Sequence, residues 1–339
     1  MMKFVLSQVL AVGAGIVGIG AIAVAQEPPA APVASEVVRL DPALDALIAP
    51  DAKIEKIATG FKFVEGPMWR EGRLWFSDVG GEEIRAVTPD GKVELLVAHA
   101  GGYPNPKPGK TLGPNAMVTD KDGTILYAQQ GGRNISRLDA KLAITPFLST
   151  YNGKKINSPN DLVFAKDGAL WFTDPPFGPM NMEPSPELEQ PFAAVYRYAN
   201  GKLTPMVTDL KLPNGLAFSN DGKTFYVNSY GPEMFTRAYD VGKDGALSNP
   251  RILFAYDRGM GRGGPDGLKT DVAGNVWSTG PGGIRVISPQ GKLLGLIKLP
   301  ETAANLAFGG DGHDLYFTGS TSIYRLRTKV AGSMPLYQR

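Results

Sequence analysis

The sequence predicts an all-β fold, a six-bladed β-propeller, from three observations: a strand cassette that recurs six times, turns rich in glycine and proline, and a spare strand ahead of the first cassette. Gly 42 and Pro 28 among 339 residues fall between short apolar segments, the turn chemistry of an all-β chain. A repeat of about 40 residues built from short strands signals blades around an axis.

Taken in order, the first cassette runs Glu65-Gly66-Pro67-Met68-Trp69 and then Leu74 to Asp78. The second is Pro114-Asn115-Ala116-Met117-Val118 with Ile125 to Ala128, and the third Pro159-Asn160-Asp161-Leu162 with Leu170 to Asp174. The fourth is Pro213-Asn214-Gly215-Leu216 with Phe225 to Val227, and the fifth Pro265-Asp266-Gly267-Leu268 with Val276 to Thr279. The sixth is Ala304-Asn305-Leu306-Ala307-Phe308 with Leu315 to Thr318. Each continues into alternating strands such as Ala194–Tyr198 and Ile284–Ile287, giving four strands per blade, but the last unit ends near Arg327 one strand short. Lys53–Thr59 is expected to supply it, so that the N-terminal strand closes the last blade and residues 45–330 form one domain. Residues 331–339 then read as a C-terminal tail.

Aligned by their apolar strands, the cassettes put Glu65, Asn115, Asn160, Asn214, Asp266 and Asn305 at one register. In a propeller such positions converge on the axis. One cassette alone would read as a turn former entering a strand, but six in register, one carrying the longer acid Glu65, read as a cage for a hard cation. Ca²⁺ is the first choice because carboxylate and amide oxygens suit it; Zn²⁺, Mn²⁺ and Mg²⁺ are the other candidates. The only histidines, His99 and His313, lie outside the ring.

Composition narrows the chemistry further. Lys+Arg 35 against Asp+Glu 33, without basic runs, leaves no electrostatic footprint for nucleic acid and points to a small-molecule partner. Cys 0 excludes disulfides, thiolate metal sites and a cysteine nucleophile. Neither Gly13, Gly15 and Gly18 nor Gly109-Lys110-Thr111 has the strand or glycine context of a nucleotide loop. No Gly-x-Ser-x-Gly elbow occurs, which disfavours a serine hydrolase.

Residues 1–25 form an apolar stretch ending Ala23-Val24-Ala25, read as a signal peptide cleaved before Gln26. An uncleaved membrane anchor is the competing reading. Residues 26–44 follow as a Pro/Ala-rich linker. The expectation is a periplasmic or secreted protein without stable membrane association after cleavage, and a monomer by default.

At these cassettes the sequence resembles the regucalcin/gluconolactonase family, especially its bacterial gluconolactonase branch, over roughly residues 55–330. The most specific pieces are Glu65-Gly66-Pro67, Asn157–Asp161, Trp171–Gly178, Pro213–Phe218 and Gly264–Leu268. The resemblance implies hydrolysis of a sugar lactone and puts metal ligands on Glu65, Asn214 and Asp266. It assigns Asn160 to the metal shell or to substrate. Many relatives have histidine near Gln130, where this chain reads Ala128-Gln129-Gln130-Gly131-Gly132, a departure that bears on substrate identity.

A lactone carbonyl gains negative charge on attack, which a cation can stabilise, leaving a carboxylate to take the water proton. Asp266 is the expected base; Asp161 competes, but strand alternation would turn it from the channel. Asn115, Asn160, Gln130, Arg133 and Tyr230 are the expected substrate contacts, and the insertions Gly101–Thr111 and Pro175–Pro191 the expected walls. Phosphotriester hydrolysis at the same calcium site, or a non-catalytic periplasmic binding propeller, are the alternatives.

Overall fold

A computed structural model describes residues 34–102, 113–177 and 188–337, and six four-stranded antiparallel sheets in it make up the blades. Blade one is Val64–Arg70, Arg73–Asp78, Glu83–Val87 and Val93–Val97; blade two is Pro114–Thr119, Ile125–Gln129, Asn134–Leu138 and Ile144–Leu148. Blade three is Leu162–Phe164, Leu170–Asp174, Ala194–Ala199 and Lys202–Val207; blade four is Pro213–Phe218, Thr224–Ser229, Phe235–Val241 and Leu247–Ala255. Blade five is Leu268–Thr270, Val276–Gly280, Gly283–Ile287 and Leu293–Lys298. Blade six is Asn305–Gly309, Asp314–Thr318, Ser322–Arg327 and, as expected, Ile54–Thr59 from the N-terminal side.

First strands are mostly buried and fourth strands largely exposed, except in blade five, where Leu293–Lys298 is mostly buried. The turn between the first two strands needs a left-handed residue: Gly168 (φ 81°) and Gly222 (φ 75°) donate to the carbonyls of Ala165 and Ser219. Apolar clusters lie between blades rather than within them. Trp171, Phe225 and Tyr239 join blades three and four; Trp277, Phe308 and Phe317 join five and six; Phe76, Tyr316 and Ile323 join six and one. The second strands supply most of these large rings, which explains their Trp, Tyr and Phe content.

Both domain boundaries lie outside those read from sequence. Glu36–Arg39, placed in the linker, pairs antiparallel with Leu293–Lys298 as a fifth strand of blade five. A 3₁₀ turn, Pro42–Ala46, follows and buries Leu44 completely in the seam between blades five and six. The Pro/Ala-rich composition up to Ser35 masked the β-branched Val37-Val38 and the buried Leu44, Leu47 and Ile48 that begin the domain. The tail is docked as well: Val272 N–H donates to Ala331 O, Gly332 N–H to Gly312 O and Ser333 N–H to Thr270 O. Tyr337 meets Phe164 edge-on at 5.0 Å. The strap 331–337 thus runs from blades five and six to blade three, beside the turns that end the first strands. The leader 1–25, most of the insertion 101–111 and the middle of 175–191 lie outside the described residues.

Candidate functional site

First strands begin, and second strands end, at the face opposite the strap. Glu65, Asn115, Asn160, Asn214 and Asp266 occupy equivalent places there, at a bulge in the ladder or just before it begins. Asn305 does not. Thr318 Oγ1 accepts from Asn305 N–H and Asn305 Oδ1 from Leu306 N–H; in blade three Thr173 Oγ1 and Asp161 Oδ1 play these parts for Asp161 and Leu162. Asn305 is therefore the counterpart of Asp161, one step deeper, and Ala304 fills the sixth ring place. Aligning on Leu162, Leu216, Leu268 and Leu306 rather than on the amides would have shown this.

The same register corrects the expectation that Asp161 turns away from the channel. Its two residues at the bulge face the single Thr173, so both Asn160 and Asp161 reach the axial region, and Asp161 is buried. Its carboxylate accepts from Leu216 N–H of blade four and pairs with Lys269 of blade five at 3.7 Å. Neither residue of this pair belonged to the ring read from sequence.

The ring is held by its neighbours' backbones. Ala116 N–H donates to Asn160 O, Gly215 N–H to Asp266 O and Gly267 N–H to Ala304 O, each across a blade boundary. Second strands add Ser77 Oγ to Asn115 O (2.7 Å) and Asn228 Nδ2 to Asp266 O (2.7 Å), while Thr279 Oγ1 accepts from Asp266 N–H. These bonds fix the Cα positions from which the side chains project.

Glu65 is buried, and Oε2 accepts from its neighbour Gly66 N–H (2.7 Å) and from Asn305 Nδ2 (3.0 Å). Burial pushes its carboxyl up to about 7, with the charge of Asp161 adding to the shift. Asp266 keeps part of its surface exposed. Enclosure by protein raises it well above the usual carboxylate range, the charges of Glu65 and Asp161 raise it further, and a hydrogen bond from Asn214 opposes both. Asn115 Oδ1 and Asn214 Oδ1 are buried without a hydrogen-bond partner. Buried amide oxygens are rarely left so.

Mutually repelling carboxylates beside unpartnered amide oxygens fit a hard divalent cation, whose charge would relieve the first and whose coordination would use the second. Among the described residues no three His, Cys, Asp or Glu side chains are grouped for metal binding, so such an ion would depend on amide oxygens as well as carboxylates.

The remaining predicted contacts separate. Gln130 and Tyr230 both occupy the first position beyond a second strand, at the ring face, and Gln130 is buried. Tyr230 packs over Gly264, where a Cβ would lie 2.7 Å from its ring, and meets Phe177 at 6.4 Å. Burial, then the charge of Asp266, raises its phenol. Arg133 instead turns into the seam between blades two and three, with Nε donating to Ile156 O and Asn157 O and its guanidinium 3.5 Å from Glu189. Its role there is to hold the Asn157 segment ahead of Asn160.

Residues 63–321 match the SMP-30/Gluconolactonase/LRE-like region. A gluconolactonase of Zymomonas mobilis is 34% identical over 312 residues, covering 88% of this chain and 87% of the relative. A solved gluconolactonase from Xanthomonas campestris is 32% identical, covers 86% of this chain and 94% of its own, and superposes with a TM-score of 0.75. A calcium-binding regucalcin from Agrobacterium tumefaciens shares the fold at 19% identity and a TM-score of 0.64, covering 84% of this chain and 99% of its own.

Proposed function

The chain belongs to the SMP-30/gluconolactonase/LRE-like family, and from that premise we propose that it hydrolyses a sugar lactone at the ring of Glu65, Asn160, Asn214 and Asp266. The observation that carries this reading is the meeting of Glu65 and Asp266 with the unpartnered amide oxygens of Asn115 and Asn214. Glu65, Asn160, Asn214 and Asp266 would hold a divalent cation, calcium first. When bound, it supplies an electrophile that stabilises negative charge developing on the lactone carbonyl oxygen.

The chain's own residues supply the rest. Asp266 is the ring carboxylate that remains partly exposed, and its raised proton affinity suits a base that accepts the proton of attacking water. As the new C–O bond forms and the ring C–O bond breaks, that proton passes to the departing alkoxide, giving the open hydroxy acid. Asn214, bonded to Asp266, orients the carboxylate; Asn115, Asn160, Gln130 and Tyr230 face substrate, with the Tyr230–Phe177 pair as an aromatic wall. Arg133 acts through the Asn157 segment rather than on substrate. The leader supports export to the periplasm or beyond.

The test is acid release from δ-gluconolactone by the mature protein, corrected for spontaneous hydrolysis, after chelation and after return of Ca²⁺, Mn²⁺, Mg²⁺ or Zn²⁺. Cation-dependent turnover that Asp266→Ala abolishes supports the reading. Turnover unaffected by chelation removes the cation from it; no turnover with any cation redirects the search to organophosphate esters and then to protein partners.

A further inference from the structure

Directly beneath the ring the chain breaks its own repeat. The residues following the ring positions are Gly66, Ala116, Asp161, Gly215, Gly267 and, in blade six, Asn305. A Cβ on Gly66 or Gly215 would sit 2.3 Å from the carbonyl oxygens of Asn115 and Asp266, and one on Gly267 would sit 2.1 Å from Asn305 Oδ1. Backbone therefore fills this tier, except where Asp161 and Asn305 project polar groups. Asn305 has its purpose in the bond to Glu65. Asp161 accepts from Leu162 N–H and Leu216 N–H and faces the ammonium of Lys269.

Lys269 is the second departure. Two positions further along the first strands the chain has Met68, Val118, Val163, Ala217, Lys269 and Ala307, five apolar side chains and one cation. Its Nζ donates to Leu268 O at 3.0 Å and lies 3.7 Å from Asp161, spanning blade four to reach blade three. The axial region thus holds three carboxylates, Glu65, Asp161 and Asp266, and one ammonium. Their formal charges leave two net negatives, equal and opposite to one divalent ion.

We propose that Lys269, paired with Asp161, is a built-in counter-cation that matches the charge of the ring to a single divalent ion. This rests on the reading that the ring holds such an ion. An isolated buried carboxylate would be costly to desolvate, and a third uncompensated charge would make the empty ring repel itself. The pair removes that excess from below, where it blocks no ligand position.

The test compares wild type, Lys269→Met, Asp161→Asn and the double variant by calorimetric titration with Ca²⁺ and by thermal melting in chelator. Lys269→Met leaves an extra negative charge and should bind Ca²⁺ at least about tenfold tighter, whereas Asp161→Asn should bind at least about tenfold weaker. The double variant, which restores the charge count, should return to within roughly threefold of wild type. In chelator Lys269→Met should melt below wild type and the double variant should recover most of the loss. Weaker binding in both single variants, with the double no better than either, would overturn the proposal, since lost packing moves them in the same direction. If Lys269→Met does not fold, Asp161→Asn and its rescue by the second substitution decide the matter. If wild type takes up no divalent cation, the ring reading fails; additive destabilisation in the double variant would then overturn the counter-cation as well.

Discussion

The two ends of the central channel are built from the same six strands yet differ in almost every property. At the ring end five blades bring Glu65, Asn115, Asn160, Asn214 and Asp266 to the axis. At the other, Met68, Trp69, Leu162, Phe164, Phe308 and the strap residues Met334–Tyr337 form the apolar part of the wall of a cavity of about 170 Å³, which also reaches Asp161 and Lys269 beneath the ring. A few residues of travel along each strand separate the two. Repetition of the fold therefore supplies a place where side chains meet, and single substitutions within the repeat decide what they do on meeting. Chemistry is concentrated where backbone irregularity lets polar residues face inward; closure is concentrated where the strands are regular and apolar.

That contrast can be broken most severely at the ring. Asp266→Ala should lower kcat/KM for a sugar lactone by about a thousandfold, with circular dichroism and melting nearly unchanged. A loss of stability equal to that of a core deletion would show the residue to be structural instead. Glu65→Gln should weaken divalent-cation affinity by about a hundredfold in titration calorimetry, because it removes a ligand charge while keeping the Asn305 contact within reach.

A pH series sharpens the comparison. Without cation, Glu65 titrates near 7 against an ordinary value of 4.5, so its folded-state pKa is raised by burial. Its contribution to stability is fully present below 4.5 and is lost as pH rises through about 7. Asp174, buried under the N–H groups of Asn157 and Ser158 and also raised to about 7, contributes in the same sense whether or not a cation is present. The melting temperature of the chelated protein should therefore fall between pH 5 and pH 8, and saturating Ca²⁺ should remove only the ring's share. An identical fall with and without Ca²⁺ would separate Glu65 from the cation.

Smaller effects belong to the far end and the rim. Ending the chain at Val330 should lower the melting temperature by roughly 2–6 °C with kcat little changed, since the described part of the strap is held by Thr270, Gly312 and Phe164, away from the ring face. Tyr230→Phe should raise KM by roughly threefold with kcat unaltered; an unchanged KM would confine Tyr230 to packing over Gly264.

The propeller was legible because its turn glycines, apolar strands and polar starts recur with little variation, and the spare strand at Lys53–Thr59 was the arithmetic remainder of six. Five ring positions were legible for the same reason. Asn305 lies one residue deeper than its amide suggests, because the leucine that follows, not the amide, marks the register shared by the blades. Asp161 was turned away by the rule of alternation, which holds only for unbulged strands, and the register at Thr173 suspends it. Lys269 could have been found: it is the one cation at a position otherwise apolar in every blade. The strap was less legible, since much of its hold on the propeller comes through backbone groups that any sequence possesses, with Tyr337 against Phe164 as the side-chain signal.

The pairing of Ile54–Thr59 with Ser322–Arg327 also sets a timetable. Thr59 and Ser322, whose hydroxyls meet at 2.9 Å, are 263 residues apart in the chain. During synthesis the first of these strands emerges with no partner and stays an unpaired edge until the chain has been made as far as Arg327. The ring has no half-built resting form with all its edges satisfied, and its final seam closes only when the last blade arrives.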